Sequence, residues 1–300
     1  MRSPLDSDSV RAALVTSGRP WRGVEFHPAL GSTNTRLREL LTASSGSPRA
    51  YAAGRADEVP GLWRVVLTDH QTGGRGRLGR AWTVPDRASL AVSVAVPVSD
   101  QAQAGWLPLL AGLALARAVD DVTRTVDHPL MTRLKWPNDV LLADDGDRKL
   151  SGILCELVTT PAGPAVVVGT GVNVDQTRAE LPVDTATSLA LAGADVRRED
   201  LLLAYLDHLL AVLPGAGSEP AVRPDRATAG EVAAVRTAYR ESCSTVGLEV
   251  RVHLPTGHAV EGTALDVDDA GGLVVRTPDG PRTFAAGDVV HVRRAGGGLA

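Results

Sequence analysis

Two lysines and a short run of arginines are the residues here whose types and spacing could do chemistry. The chain carries 31 lysines and arginines in 300 residues, and only Lys135 and Lys149 are lysines. An ammonium on a flexible stem is not mimicked by a guanidinium. In a chain that otherwise uses arginine, two lysines so close together point to a required role for at least one. The arginines that matter are Arg75, Arg77 and Arg80, in the stretch TDHQTGGRGRLGRAW, Thr68–Trp82, where Gly73, Gly74, Gly76 and Gly79 alternate with them. Glycine lets a backbone take positive φ and come close to a ligand. Backbone N–H groups and guanidinium forks together make a concavity for an anion. The apolar runs Leu62–Leu67 and Ser89–Val98 flank the stretch, which predicts an exposed loop between two strands. At this point the loop reads either as an anion wrap or as an Arg-Gly linker or nucleic-acid tail.

The bulk properties narrow the choice. A formal net charge of −4 argues against general nucleic-acid affinity. Two cysteines, Cys155 and Cys243, are too few for a disulfide scaffold and point to a reducing, cytoplasmic compartment. No apolar run reaches the length of a membrane span, and the start, MRSPLDSDSVRAAL, lacks the apolar centre of a signal peptide. With 44% hydrophobic residues, the chain can bury one large domain, or a large one and a small one.

The elements that must position these side chains follow from periodicity. Residues 1–20 read as a mobile N-terminal segment or a short helix. In Gly31-Ser32-Thr33-Asn34, Ser32 or Thr33 caps a helix whose apolar residues are Leu37, Leu40 and Leu41. Such a helix start offers free N–H groups and small hydroxyls to a polar ligand, plain capping being the alternative. Ala43–Pro60 reads as a loop. In Ser89–Val98, bulky Leu90, Val92, Val94, Val96 and Val98 alternate with small residues, which predicts a strand covered on both faces. Gln103–Val119 reads as a helix against the sheet.

Val140–Leu142 and Leu150–Val158 predict a hairpin about Asp144-Asp145-Gly146-Asp147, which returns Lys149 beside the segment after Asn138 and Asp139. Ala165–Val174 predicts a buried strand in which Gly169 and Gly171 mark a close approach of backbone to something else. Arg198–Leu213 predicts an amphipathic helix, Pro214–Gly230 a linker, and Glu231–Tyr239 a short helix. From Leu248 onward, short alternating strands separated by turns predict a small antiparallel barrel. The expected domains are 21–242 and 243–300.

On these residues the chain resembles the biotin protein ligases, which biotinylate carboxylase carrier domains. The resemblance rests on GSTN at Gly31–Asn34, HQTGGRGRLGRAW at His70–Trp82, KWPND at Lys135–Asp139, RKLSGIL at Arg148–Leu154, GTGVNV at Gly169–Val174 and the C-terminal strands, all in order. It implies an α+β fold: a mixed-sheet, class II synthetase-like biotin/lipoate ligase catalytic domain followed by an SH3-like β-barrel. It also implies two half-reactions. Biotin's carboxylate attacks the α-phosphate of MgATP, giving biotinyl-5′-AMP, and a lysine of a biotin carboxyl carrier domain then takes the biotinyl group.

The resemblance implies roles for single residues. Lys149 would bridge carboxylate and phosphate, with Arg75 and Arg77 at biotin's carboxyl end and the phosphoryl group. Ser32, Thr33, Asn34 and Gln71 would surround the ureido ring, and Gly74, Gly76 and Gly152 would line the biotin site. Arg80, Trp82, Asn138 and Asn173 would serve ATP, with Trp82 either an adenine wall or a core residue, and Asp139 would help hold Mg²⁺. Cys155 would be an inert buried thiol and Lys135 structural or nucleotide-side support. Gly73 stands where alanine is common in the motif. Some members also carry a winged helix-turn-helix; with 30 residues ahead of Gly31, the resemblance is to the monofunctional type, and no DNA binding is expected. Two alternatives remain: a lipoate or octanoate ligase of related fold, and a non-catalytic Arg-Gly nucleic-acid binding protein.

Overall fold

The structure is a computed structural model. It describes residues 2–16, 19–43, 62–98, 101–124, 129–160, 163–213, 228–254, 257–285 and 287–291. The predicted loop 43–60 and linker 214–230 fall largely outside these residues.

The order of elements begins α1 (Ser7–Leu14), β1 (Gly23–Leu30), α2 (Thr33–Thr42), β2 (Arg64–Gln71), β3 (Ser89–Pro97) and α3 (Gln101–Thr123). It continues β4 (Thr132–Lys135), β5 (Asp139–Leu142), β6 (Arg148–Thr160), β7 (Gly163–Asn173), α4 (Arg198–Val212) and α5 (Ala229–Ser242). The C-terminal strands are β8 (Glu249–His253), β9 (Ala259–Val267), β10 (Leu273–Thr277), β11 (Gly280–Phe284) and β12 (Asp288–His291).

Strands β1 to β7 form one mixed sheet in the order β1-β2-β3-β7-β6-β5-β4. The β1–β2 pair is parallel and the others are antiparallel. The alternation in β3 sets the layering. Leu90, Val92, Val94 and Val96 pair with Val172, Thr170, Val168 and Val166 of β7, making a bulky face. Helices α3 and α4 cover that face, and Tyr205 of α4 shares a 2.8 Å hydrogen bond with Thr170. The opposite face is lined by Ala91, Ser93, Gly169 and Gly171 and receives the start of α2, where Ser93 Oγ meets Asn34 Oδ1 at 2.6 Å. The same strand is therefore core on one side and floor of a cleft on the other.

The second sheet is antiparallel, in the order β11-β10-β9-β8-β12. Its five strands match the predicted SH3-like unit, although no pairing between β11 and β12 closes it among the described residues. It is fastened to the first domain by tryptophans. Trp106 Nε1 donates to Asp269 O at 3.1 Å and Trp136 Nε1 to Gly271 O at 3.0 Å. A methyl group at Gly105 would lie 2.1 Å from Ala270 O, so only glycine lets α3 meet this turn. Arg236 and Arg240 of α5 stack over the Trp106 ring at 5.1 and 5.7 Å. Among the described residues no helix is long and apolar enough to cross a membrane.

The chain start takes the second of its two readings, the short helix. Residues 2–14 are a docked segment rather than a mobile end. Asp6 caps α1, and Leu5, Val10 and Leu14 are buried in the core. Leu5 N–H donates to Asp69 Oδ1 at 3.2 Å, and Arg198 Nη2 donates to Ser3 O at 2.6 Å. The periodicity of Val10 and Leu14 is too short to reveal this, because their helix packs on β1 and α4.

Asp69 and Arg198 form a buried ion pair at 2.8 Å, with side chains 2% and 8% exposed. Removing one partner leaves the other charge uncompensated. Asp69→Ala is therefore expected to lower unfolding free energy by roughly 3–5 kcal/mol in urea titration at pH 7. A loss below about 1 kcal/mol, the range of an exposed pair, would contradict the assignment.

Candidate active site

The floor of the cleft is made by removing side chains from the sheet. Ser93 and Ala91 of β3 lie opposite Gly169 and Gly171 of β7, which lie opposite Leu154 and Gly152 of β6. A methyl group at Gly169 would sit 2.0 Å from Asn34 Oδ1, and one at Gly171 would sit 2.7 Å from Trp82 Cε2. Neither separation is possible between real atoms, so these two glycines let Asn34 and the Trp82 indole lie on the backbone. Trp82 Nε1 is buried without a hydrogen-bond partner among the described residues.

One end of the floor is a network of neutral polar groups. Ser32 caps α2, its Oγ accepting from Thr35 N–H at 3.4 Å. Thr33 N–H donates to Gln71 Oε1 at 2.9 Å. Ser93 Oγ stands 2.8 Å from Thr33 Oγ1. Asn34 Nδ2 donates to Leu154 O at 3.1 Å and Glu156 Oε2 at 2.7 Å. Gln71 is thus held by its oxygen, and its amide nitrogen abuts Gly74, where a Cβ would lie 2.8 Å from Nε2. The predicted group Ser32, Thr33, Asn34 and Gln71 is one constellation, and Ser93 and Glu156, which the sequence did not single out, complete it.

The arginine loop is a short hairpin. Its first residues, through Gln71, belong to β2, because Gln71 pairs with Leu30 of β1. Beyond them, Trp82 N–H donates to Gly74 O at 2.9 Å, Gly76 N–H to Arg80 O at 2.7 Å, and Arg80 N–H to Arg77 O at 3.2 Å. The two central residues of the turn, Leu78 and Gly79, have φ of 55° and 74°, as a type I′ turn requires. Arg75 is exposed and has no ion-pair partner among the described residues. Arg77 and Arg80 reach the C-terminal domain: Arg77 Nη2 donates to Gly287 O at 3.0 Å, and Arg80 pairs with Asp288. Burial pulls the Arg77 guanidinium below its ordinary pKa.

The second cationic group comes from β4–β6. The predicted hairpin exists, with Gly146 at φ 65° in its turn. Its register slips: Val140 faces Ser151 while Leu141 faces Lys149, so Leu150 is bulged. Side chains three apart on a regular strand point to opposite faces. The bulge breaks this alternation, so Lys149 and Gly152 share a face, and a Cβ at Gly152 would lie 3.2 Å from Lys149 Nζ and 3.4 Å from Trp82 Cζ3. Lys149 Nζ is 2.6 Å from Asp139 Oδ1. Lys135 faces Asp139 across β4–β5. Burial lowers its pKa, with Lys149 and Arg80 acting in the same direction and Asp139 against.

Two predicted ATP residues are built into the scaffold. Asn138 Nδ2 donates to Ile153 O at 2.9 Å. Asn173 is 5% exposed, donates to Thr187 O at 2.9 Å and accepts from Gln176 Nε2 at 2.9 Å. Both hold the segments that flank Lys149. Cys155 is half-buried rather than the buried thiol expected, and its partial burial still raises the thiol pKa. Among the described residues no three His, Cys, Asp or Glu side chains gather to hold a metal. A magnesium ion carried by phosphates needs only one or two protein carboxylates, and Asp139, whose Oδ1 pairs with Lys149, is the carboxylate that would be at hand.

Two tests follow from this geometry. Gly169→Ala forces Asn34 off Ser93 and is expected to destabilise the protein by about 1–3 kcal/mol in thermal unfolding; an unchanged midpoint would mean that Asn34 does not rest on β7. His291, half-buried beside Lys135, has its pKa lowered by desolvation from 6.5 to about 4. The unfolded chain takes up that proton below pH 6.5 and the folded chain does not, so stability is lost as pH falls from 6.5 to about 4. His291→Gln should flatten the pH dependence of the urea midpoint across that window, and an unaltered slope would refute this.

Comparison with known proteins gives the family. Residues 59–173 match the Biotin/lipoate A/B protein ligase family, and residues 245–292 match the Biotin protein ligase C terminal domain. The chain is 38% identical to the biotin–[acetyl-CoA-carboxylase] ligase of Mycobacterium tuberculosis, over 98% of each chain. It is 27% identical to the bifunctional ligase/repressor BirA of Bacillus subtilis, over 88% of this chain and 72% of that one. The biotin protein ligase of Aquifex aeolicus in complex with biotin and ATP shares the fold, with a TM-score of 0.64 at 23% identity over 91% of this chain and 100% of that one. With both domain models matched and 38% identity to the Mycobacterium tuberculosis ligase over 98% of each chain, the chain belongs to the biotin protein ligase family.

Proposed function

We propose that the protein activates biotin with MgATP to biotinyl-5′-AMP and transfers the biotinyl group to a lysine of a biotin carboxyl carrier domain. The observation that carries this reading is the cleft itself. A floor of small residues, on which Asn34 and the Trp82 indole are seated, runs from a neutral amide-and-hydroxyl end at Gln71 and Thr33 to the Lys149 ammonium, with the Arg75–Arg80 hairpin along it. That order of groups suits a molecule with an N–H/C=O head, an apolar body and a terminal carboxylate. The ureido group would lie against Thr33, Asn34, Ser93 and the amide nitrogen of Gln71, and the body along the Trp82 indole that rests on Gly171. The carboxylate would end beside Lys149 and Arg77.

The chemistry needs two anions in contact. At an effective dielectric near 20 their repulsion is about 4 kcal/mol at 4 Å. Lys149 stands where its three donors can serve both partners, with Asp139 holding the ammonium in place. The carboxylate oxygen forms a bond to the α-phosphorus, the bond to the bridging oxygen breaks, and pyrophosphate leaves. Arg75 and Arg77 offset the charge that builds on phosphorus. In the second step the acceptor amine attacks the acyl carbon, AMP leaves, and the amine loses a proton. Magnesium, held by the triphosphate with Asp139 as one protein ligand, would neutralise charge on the leaving phosphates. The name of the Mycobacterium tuberculosis relative points to the carrier domain of an acetyl-CoA carboxylase as the acceptor. A lipoate ligase shares the adenylation logic, and no feature of the cleft favours it.

The test is pyrophosphate release from MgATP with biotin, with lipoate or with neither, on the wild type and Lys149→Ala. Biotin-dependent release that falls on the order of a hundredfold or more in the variant is expected. Release without biotin dependence, or with lipoate preferred, would overturn the substrate; full activity in the variant would overturn the role of Lys149.

A further inference from the structure

Strand β12 of the C-terminal domain runs alongside three of the site's cations. Gly287, the residue before it, accepts from Arg77 Nη2 at 3.0 Å through its carbonyl. Asp288 forms the ion pair with Arg80. His291, at the far end of the strand, stands beside Lys135 and within 3.2 Å of Thr245 Oγ1, which in turn accepts from Trp136 N–H at 3.0 Å. Asp288 and His291 are paired within their own sheet to His253 and Val250 of β8, so the strand that presents them is fixed. The domain that carries them is fixed as well, by the Trp106 and Trp136 hydrogen bonds to the β9–β10 turn.

The hairpin needs such a support. It has two cross-strand pairs of backbone groups, too few to hold an isolated hairpin in water. Leu78 occupies a turn position that favours Asn or Gly, which weakens it further. The Asp288 side chain is 19% exposed, whereas Arg80 is 65% exposed. The carboxylate is therefore the rigid partner and the guanidinium the one being placed.

We propose that Asp288 is a positioning residue of the adenylation site: it holds Arg80, and through it the arginine hairpin, in its folded place before any ligand arrives. The carboxylate does not touch substrate; it acts through Arg80. When the triphosphate enters, its oxygens take over donors of Arg80 and Arg77 that were occupied by Asp288 and the Gly287 carbonyl, so the hairpin is already assembled when the anion arrives. The catalytic consequence rests on the ligase reading above, whereas the structural claim does not.

Limited trypsin digestion of the full-length, ligand-free protein separates the two. Trypsin cuts after Arg75, Arg77 and Arg80, so cleavage there reports opening of the hairpin. The variants are Asp288→Asn and Asp288→Glu, with thermal midpoints recorded to confirm that both remain folded. Loss of an ion pair of this exposure is expected to speed cleavage within residues 75–80 by about twofold to fivefold in Asp288→Asn, with Asp288→Glu restored toward the wild type. In biotin-dependent pyrophosphate release, the KM for MgATP should rise by a similar factor in Asp288→Asn while kcat changes less. Equal cleavage rates in the wild type and Asp288→Asn would overturn the proposal. Absence of biotin-dependent release in the wild type, with cleavage still accelerated, would overturn the ligase reading and leave the hairpin support standing.

Discussion

Mutual repulsion of two anions is the constraint to which the rest of this structure answers. A carboxylate brought against a phosphate in a cleft faces an opposing energy of several kcal/mol, and solvent cations are too mobile to offset it reproducibly. The protein has to supply the positive charge and hold it still. Lys149 is held by Asp139 at 2.6 Å, Arg77 by a backbone carbonyl, and Arg80 by Asp288. Each cation is tethered by a partner that a stronger anion can replace. Arg75, without an ion-pair partner among the described residues, completes the set.

Holding charges still requires scaffolding that is itself neutral and dense. The sheet provides it by giving its two faces opposite character. The bulky face of β3 and β7 is packed by α3 and α4, while the other is stripped to Ala91, Ser93, Gly169, Gly171 and Gly152. Asn34 and the Trp82 indole then lie directly on backbone and form the wall of the cleft. The bulge at Leu150 turns Lys149 onto the stripped face, and Asn138 and Asn173 fix the neighbouring segments. The C-terminal sheet is part of the same construction, since the tryptophan of KWPND donates both its backbone and its indole N–H to that domain.

Much of this was legible in the sequence where the cause is local. The N-cap at Ser32, the Asp-rich turn before Lys149 and the small face of β3 each follow from a few adjacent residues, and all three are present. What was not legible depends on partners far along the chain. Val10 and Leu14 bury against elements that the N-terminal pattern cannot name. Ser93 looked like a small residue in a packed strand, and only the arrival of Asn34 makes it part of the polar end. The hairpin was hidden because its turn is Leu-Gly, not the Asn-Gly that usually announces two positive φ angles. Asp288 lies more than two hundred residues from the arginines it faces, and nothing in its neighbourhood distinguishes it from any other acidic turn residue. Asn173 shows a further side of this: its motif position implies a ligand contact, and only the fold shows that its side chain also ties Thr187 and Gln176 to the strand end.

The central claim is that the cleft makes a mixed anhydride between a carboxylate and the α-phosphate, reversibly and before any acceptor protein is involved. Exchange of labelled pyrophosphate into ATP, followed with no carrier domain present, reads that step alone. The account predicts exchange that requires biotin. Exchange that proceeds equally without biotin, or that appears only when an acceptor protein is added, would contradict it.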